Sequence, residues 1–547
     1  VALALAALAP STQAATNSEI AAAAMEDNAE LVAALTKARV DINKPDEDGA
    51  TALAWAARNR NLPLAQSLIR AGADANIANE YGVGPLILAA QAGDAKMVLD
   101  LLLAGANPNQ AMWNGETALM HAARDGSVES LQYLISANAD VNAREARDGQ
   151  TALMWAAAAG QTDSIRTLLD GGADAKIKTP TIELTAASRG ATTPRKLYRG
   201  GFNALLFAAQ SFNKDAVAAL LDAGQDVNVT AADGSTPLLL AMYHHINPQS
   251  DFPLNTEVVA DLDTAELLLS KGANPNLASA DGVAPLTAAV FTAHGHDHLG
   301  SLTDVPAVIK PHDAAGERGA QMLLARGADP NIAITDYTVT SPAGQDPRSS
   351  GRYANVSAFM LAAALNKPKI VKMMIDSGRV ETKKADARGV TPLMQAVKMN
   401  SLAGVEALVA AGVDVNAADA QGNTALHLVA ANRPGSGAIA DLLVKAGGNV
   451  KTKNAEGKTP VDIASVEPPA GGPGGPPRRP GGAVGPTDPV VQALGVPVLS
   501  GTTAKVVILA AANGTKLPAD AIKVAMGIRD SAADLAPDLA RRDQPVS

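Results

Sequence analysis

Six of the eight histidines fall in two short stretches of the chain. His244 and His245 stand together. His294, His296 and His298 alternate in AHGHDHLG at 293–300, with His312 a little further on and Asp297 and Asp304 nearby. Imidazoles interleaved with carboxylates suit zinc, copper or nickel, so these six histidines are the candidate ligands of one divalent-metal site. The bland alternative is a polar loop of solvated histidines, because alternate spacing in a loop fixes no geometry. A proton-sensitive loop is a further alternative, given an unperturbed imidazole pKa of about 6.5. Other catalytic templates fail: there is no G-x-S-x-G elbow, Walker A sequence, H-E-x-x-H or dinucleotide fingerprint after a strand. The glycine-rich AGGPGGPP at 470–477 is broken by prolines, which remove the backbone donors a phosphate cradle needs. The chain has no cysteine, which excludes disulfides, thiol nucleophiles and CxxC zinc sites together.

The elements that must position these stretches are copies of one unit. Residues 115–142 read GETALMHAARDGSVESLQYLISANADVN, and aligned glycines recur at Gly49, Gly82, Gly115 and Gly149, then at Gly201, Gly234, Gly389 and Gly422. The first four are 33, 33 and 34 residues apart, the mark of a repeat array. Within the unit Gly115 supplies positive φ in a tight turn, Thr117 caps a first helix, and Gly126 closes it. Leu119, Ala122 and Ala123 face inward, and Val128, Leu131, Leu134 and Ile135 mark a second helix by their spacing. Asn138 takes the left-handed cap, and Asp140 and Asn142 suit the turn to the next unit. One unit cannot bury both faces, so stability comes from stacking neighbours.

TALMHAA at 117–123, TPLLLAM at 236–242, TPLMQAV at 391–397 and TALHLVA at 424–430 resemble the T-P-L-H-x-A signature of the ankyrin repeat family. AGADAN at 71–76, KGANPN at 271–276 and AGVDVN at 411–416 resemble its G-A-D-x-N tail. The resemblance implies an all-α repeat solenoid of helix-turn-helix units with hairpin fingers. It also implies that partners are gripped by the finger tips and the exposed side of the first helices, on the concave face. On that pattern the fingers present Glu47, Tyr81, Trp113, Arg147, Arg199 and Phe202, and the first helices present Arg58, Gln91, Arg124 and Gln210. Aromatic and arginine side chains are the usual anchors of interfaces, so Tyr81 and Trp113 on adjacent fingers come first. The alternative for Trp113 is packing over its own hairpin. Trp55 and Trp155 occupy the x of the signature and read as structural.

Four insertions interrupt the rhythm. Those at 177–200 and 334–356 extend fingers; those at 243–254 and 291–316 fall between the two helices of consecutive units and carry the histidines. The insertion at 177–200 is basic, with Lys178, Arg189, Arg195, Lys196 and Arg199 against Glu183, and could steer an acidic partner. Residues 1–14 resemble the apolar core and cleavage site of a signal peptide without its charged start, which points to an exported, periplasmic or extracellular protein. The array is expected over 17–465, with ten to eleven units and a worn copy at each end. Residues 466–489 form a Pro/Gly-rich linker, and 490–547 a small segment that reads as part of a longer domain. A net charge of −10 and 3% aromatics argue against a nucleic-acid binder, and no other stretch is apolar over about 18 residues, as a membrane span requires.

The sequence therefore predicts a non-enzymatic, monomeric scaffold that binds a protein partner and carries no cofactor beyond a possible divalent metal. The alternatives are a metal-handling protein built on the histidine insertions, and the targeting module of an enzyme whose catalytic domain lies C-terminal.

Overall fold

The structure, a computed structural model, describes residues 19–186, 195–242, 244–246, 257–294, 310–334, 356–385, 388–398, 400–431 and 437–465. The chain divides into two compact units, Val1–His244 with Asp261–Ala280, and His245–Ala260 with Asp281–Ser547. Among the described residues, helices run as consecutive pairs. Seven pairs lie in the first unit; four pairs and a closing single helix, Pro460–Ser465, lie in the second. The described strands pair into two-stranded sheets. The fold is an all-α repeat solenoid, and no described helix is long and apolar enough to cross a membrane.

Each pair forms for the reasons its residues dictate. Thr117, in extended conformation, accepts a hydrogen bond from the Met120 amide and starts the helix Ala118–Asp125. Thr51, Thr151, Thr236 and Thr391 do the same for their helices, and Asn203 and Ser357 substitute for threonine in two others. Gly126 ends the helix at φ 80° and Asn138 follows the second helix, Val128–Ser136, at φ 64°. First helices pack on first helices and second on second, so a repeated core forms along the stack. Leu119, Leu131 and Leu134 fill it, while Ala122 and Ala123 keep the first helices close.

The tails join successive repeats in a way local turn chemistry does not supply. Asp140 bonds locally, accepting from the Asn142 amide at 2.9 Å. Asn142 reaches forward instead: its Oδ1 accepts from the Asp174 amide of the next tail at 2.8 Å. Asn109 spans to Asp140 and Asn138, Asn76 to Asn107 and Gly105, and Asn416 to Asn449 and Gly447. The tail asparagine is thus a two-ended clamp between neighbours, using its acceptor and its donor at once.

The fingers join in a parallel fashion. A single backbone bond links several neighbouring tips, as in Trp113 N–H to Tyr81 O at 3.0 Å and Ala146 N–H to Asn114 O at 2.7 Å. The finger glycine serves both turn and contact: Gly82 has φ 75°, and a Cβ there would meet Ala111 O at 2.7 Å.

The insertions depart from the sequence reading at one place. The stretch 177–200 does extend a finger, with Ile182–Ala186 antiparallel to Arg195–Arg199 and Ile182 opposite Arg199. The ends of 334–356 are likewise paired, Ile334 with Val356. The stretch 291–316 is narrower than expected, because its flanks are helical: the helix Pro285–His294 takes in Phe291, Thr292 and Ala293, all buried, and Lys310–Ala325 begins before Gly316. Gly316 allows this close pairing, since a Cβ on it would overlap the Ala293 Cβ. The expected leader at 1–14, the linker at 466–489 and the segment at 490–547 lie outside the described residues.

Candidate functional site

In the first unit the fingers and first helices of successive repeats build one continuous strip. Trp113 stands at the tip of its finger with 74% of its surface exposed, and Tyr81 on the preceding finger is 54% exposed. Trp113 is therefore not local core. Its backbone is nonetheless fixed, bonded to Tyr81 on one side and held by Met112 N–H to Glu116 O at 2.8 Å within its own finger. A large aromatic ring on a constrained backbone is the geometry of an interface anchor. The Glu80 carboxylate beside it holds the Tyr81 phenol pKa above the ordinary tyrosine value.

Beside Trp113 a groove of about 440 Å³ opens between its finger and the next. Trp113, Glu116 and Asn114 form one wall, Glu145, Arg147 and Asp148 the other, and Trp155 lies between them. Glu145 is buried because the turn uses it: its two oxygens accept from the amides of Arg147, Asp148 and Gln150 at 2.6–2.8 Å. Asp46, Asn79, Asp419 and Asn454 play the same part in other fingers with shorter side chains. Arg147 projects outward, 87% exposed, 3.8 Å from Asp148.

Behind the groove lies a buried cluster centred on His121, 2% exposed. Its Nε2 is 3.2 Å from a Glu116 oxygen and its Nδ1 is 3.5 Å from an Arg124 nitrogen. The ring meets Trp155 edge-on, with centroids 5.5 Å apart. Burial, with Arg124 beside it, lowers the imidazole pKa to about 4; Asp125 pulls weakly the other way. Arg124 approaches Nδ1 and the Gln91 amide nitrogen approaches Nε2 at 3.3 Å, so the single proton of the neutral ring leaves only one of the two nitrogens to accept.

Arginines cover two of the three tryptophans. Arg58 lies 5.0 Å from the centre of the Trp55 ring, and Arg124 of the preceding repeat lies 5.3 Å from that of Trp155. Trp55 also donates from Nε1 to Asp46 at 2.6 Å, which ties the first helix to its finger. Both rings are partly exposed beside the fingers.

The remaining predicted residues scatter along the strip. Arg58, Arg124 and Arg199 are exposed. Phe202 is half-buried against Phe207 at 5.3 Å, and its backbone is bonded to Thr179 in both directions. Of the candidate metal ligands, His296 and His298 lie outside the described residues. His244 and His245 lie in the strand His244–Ile246, His294 ends the helix Pro285–His294, and His312 is in the first turn of Lys310–Ala325. Two of the expected loop histidines are thus helical. Among the described residues, no three His, Asp or Glu side chains are grouped as a metal site requires.

A family model of ankyrin repeats matches the chain at residues 19–112, 86–179 and 312–419, and a single-repeat model matches 421–455. Together they cover more than half of the chain. The span 180–311 is unmatched, yet the helix pairs Ala204–Gln210 with Lys214–Asp222 and Pro237–Met242 with Leu262–Ser270 continue the same arrangement through it. No curated protein matches the chain.

Proposed function

We propose that this chain, which belongs to the ankyrin repeat family, is a non-catalytic scaffold that binds a protein partner on its finger and first-helix face. Ankyrin repeats are generally protein–protein interaction modules. Tyr81 and Trp113 are the anchors; Arg58, Arg124, Arg147, Arg199 and Phe202 extend the contact along the strip. The observation that carries the reading is Trp113: a tryptophan 74% exposed on a backbone bonded to two fingers. Fixed anchors lose little ordering entropy on association, so a larger share of the contact energy appears as affinity. The apolar run at 1–14 supports a site of action outside the cytoplasm.

The test is affinity capture from periplasmic and secreted fractions of the source cell with wild type and the Tyr81→Ala/Trp113→Ala variant in parallel. Proteins held by wild type and lost from the variant support the reading. Equal capture by both removes it.

A further inference from the structure

We propose that the groove between the third and fourth fingers seats a lysine or arginine side chain from an extended basic segment of the partner. The proposal rests on the finger-face reading above and adds the chemistry of what binds there.

The three tryptophans supply the first argument. The chain places its own guanidinium groups over two of them, Arg58 on Trp55 and Arg124 on Trp155. Among the described residues, no cation covers the third, Trp113, which is the most exposed of the three. A cation over an indole face is favourable, and more so as the site loses water. Trp113 thus offers unfilled the contact its two counterparts already make.

Charge supplies the second. The tips of the first four fingers read DED at 46–48, NEY at 79–81, MWNGE at 112–116 and REARD at 144–148, seven acids against two arginines. One of those arginines is committed elsewhere: Arg144 donates to the carbonyls of Gly149 at 3.0 Å and Lys178 at 2.6 Å. In the groove itself Glu116 and Asp148 stand on opposite walls. Glu116 is held by Asn114 at 2.7 Å and by His121, so its carboxylate is positioned before any ligand arrives. Asp148 is half-exposed and only loosely paired with Arg147. An aromatic face flanked by two carboxylates, in a groove wide enough for a long side chain, is complementary to a hydrated cation on an apolar stem. An acidic segment would meet repulsion along the first three tips, which carry five acids and no lysine or arginine; the fourth is balanced, with Arg147 exposed on the groove wall.

The test titrates the full chain with short synthetic peptides, alternating Lys–Ala and alternating Glu–Ala, and with spermidine, reading intrinsic tryptophan fluorescence and calorimetric heat. The Lys–Ala peptide is expected to bind and the Glu–Ala peptide is not. Trp113→Ala should weaken the Lys–Ala affinity about tenfold. Asp148→Asn should weaken it and flatten its dependence on salt. Leu103→Ala, at an exposed position on a second helix, should leave it unchanged. Unaltered thermal unfolding of Trp113→Ala shows that the loss is one of contact. Equal binding of the two peptides, or an unchanged affinity in Trp113→Ala, overturns the proposal. So does spermidine binding as tightly as the peptide, which would make the groove a site for free polycations. If the captured partner is lost from Tyr81→Ala/Trp113→Ala while the Lys–Ala peptide fails to bind, the finger-face reading stands and the basic-segment inference falls. If the double variant keeps its partner, the finger-face reading falls.

Discussion

Replacing Asn109 by alanine removes one clamp between two repeats and leaves the rest of the turn in place. Asn109 Oδ1 accepts from the Asp140 amide at 2.6 Å and Nδ2 donates to the Asn138 carbonyl at 3.0 Å. A hydrogen bond contributes about 0.5–1.5 kcal/mol net. Both of these lie at exposed positions where water refills the lost partner, so the pair together is worth about 1–2 kcal/mol. Asn109→Asp keeps the acceptor and loses the donor, so it should cost about half as much. The local bond from the Asn109 amide to Asn107 Oδ1 survives either change, which confines the effect to the contact between repeats. Urea unfolding reads the total, and hydrogen exchange across 138–142 reads where it falls, because an array can open at one interface before the others. Exchange there should quicken in Asn109→Ala and less in Asn109→Asp. An Asn109→Ala protein whose stability lies within about 0.5 kcal/mol of wild type, the range of an ordinary surface change, and whose exchange is unaltered would refute the clamp.

Other outcomes follow from the same geometry. His121 is neutral in the folded chain down to about pH 4, whereas the unfolded chain takes up its proton below about pH 6.5. Its contribution to stability is therefore whole above pH 6.5 and is lost as pH falls toward 4, by about 3 kcal/mol in total. His121→Gln should remove that part of the slope when the two proteins' unfolding is compared across this window. An unchanged slope would mean that the ring is charged in the native state. Gly316→Ala places a methyl against the Ala293 Cβ and backbone and should cost about 1–3 kcal/mol by overpacking, measured by thermal unfolding. Thr117→Ala removes the bond to the Met120 amide and should cost about 1 kcal/mol, and Thr117→Ser should recover most of it.

The period was legible because most copies repeat the same local demands: a positive-φ glycine, a capping hydroxyl, a run of alanines between helices. Tyr81 and Trp113 were legible because the repeat frame places them at finger tips. The groove was not, because it belongs to two fingers, and nothing in the sequence near Glu145 says that its carboxylate will close a turn beside Trp113, 32 residues earlier. The asparagine clamp was hidden for the same reason: Asn142 sits in a turn motif, and local chemistry explains its neighbour Asp140 better than it explains Asn142. The width of the 291–316 insertion was misjudged because both helices of that repeat are longer than the others, and Gly316, read as a loop boundary, is where they touch.

The central claim is that partners meet the finger and first-helix face. A photo-crosslinking residue placed at position 81 or 113, and separately at position 103 on the second helix Ala95–Leu103, where Leu103 is 78% exposed, reads that directly in the source cell. The account predicts that one and the same partner is trapped from positions 81 and 113 and is absent from 103. Trapping from 103 with none from the two finger positions would contradict it.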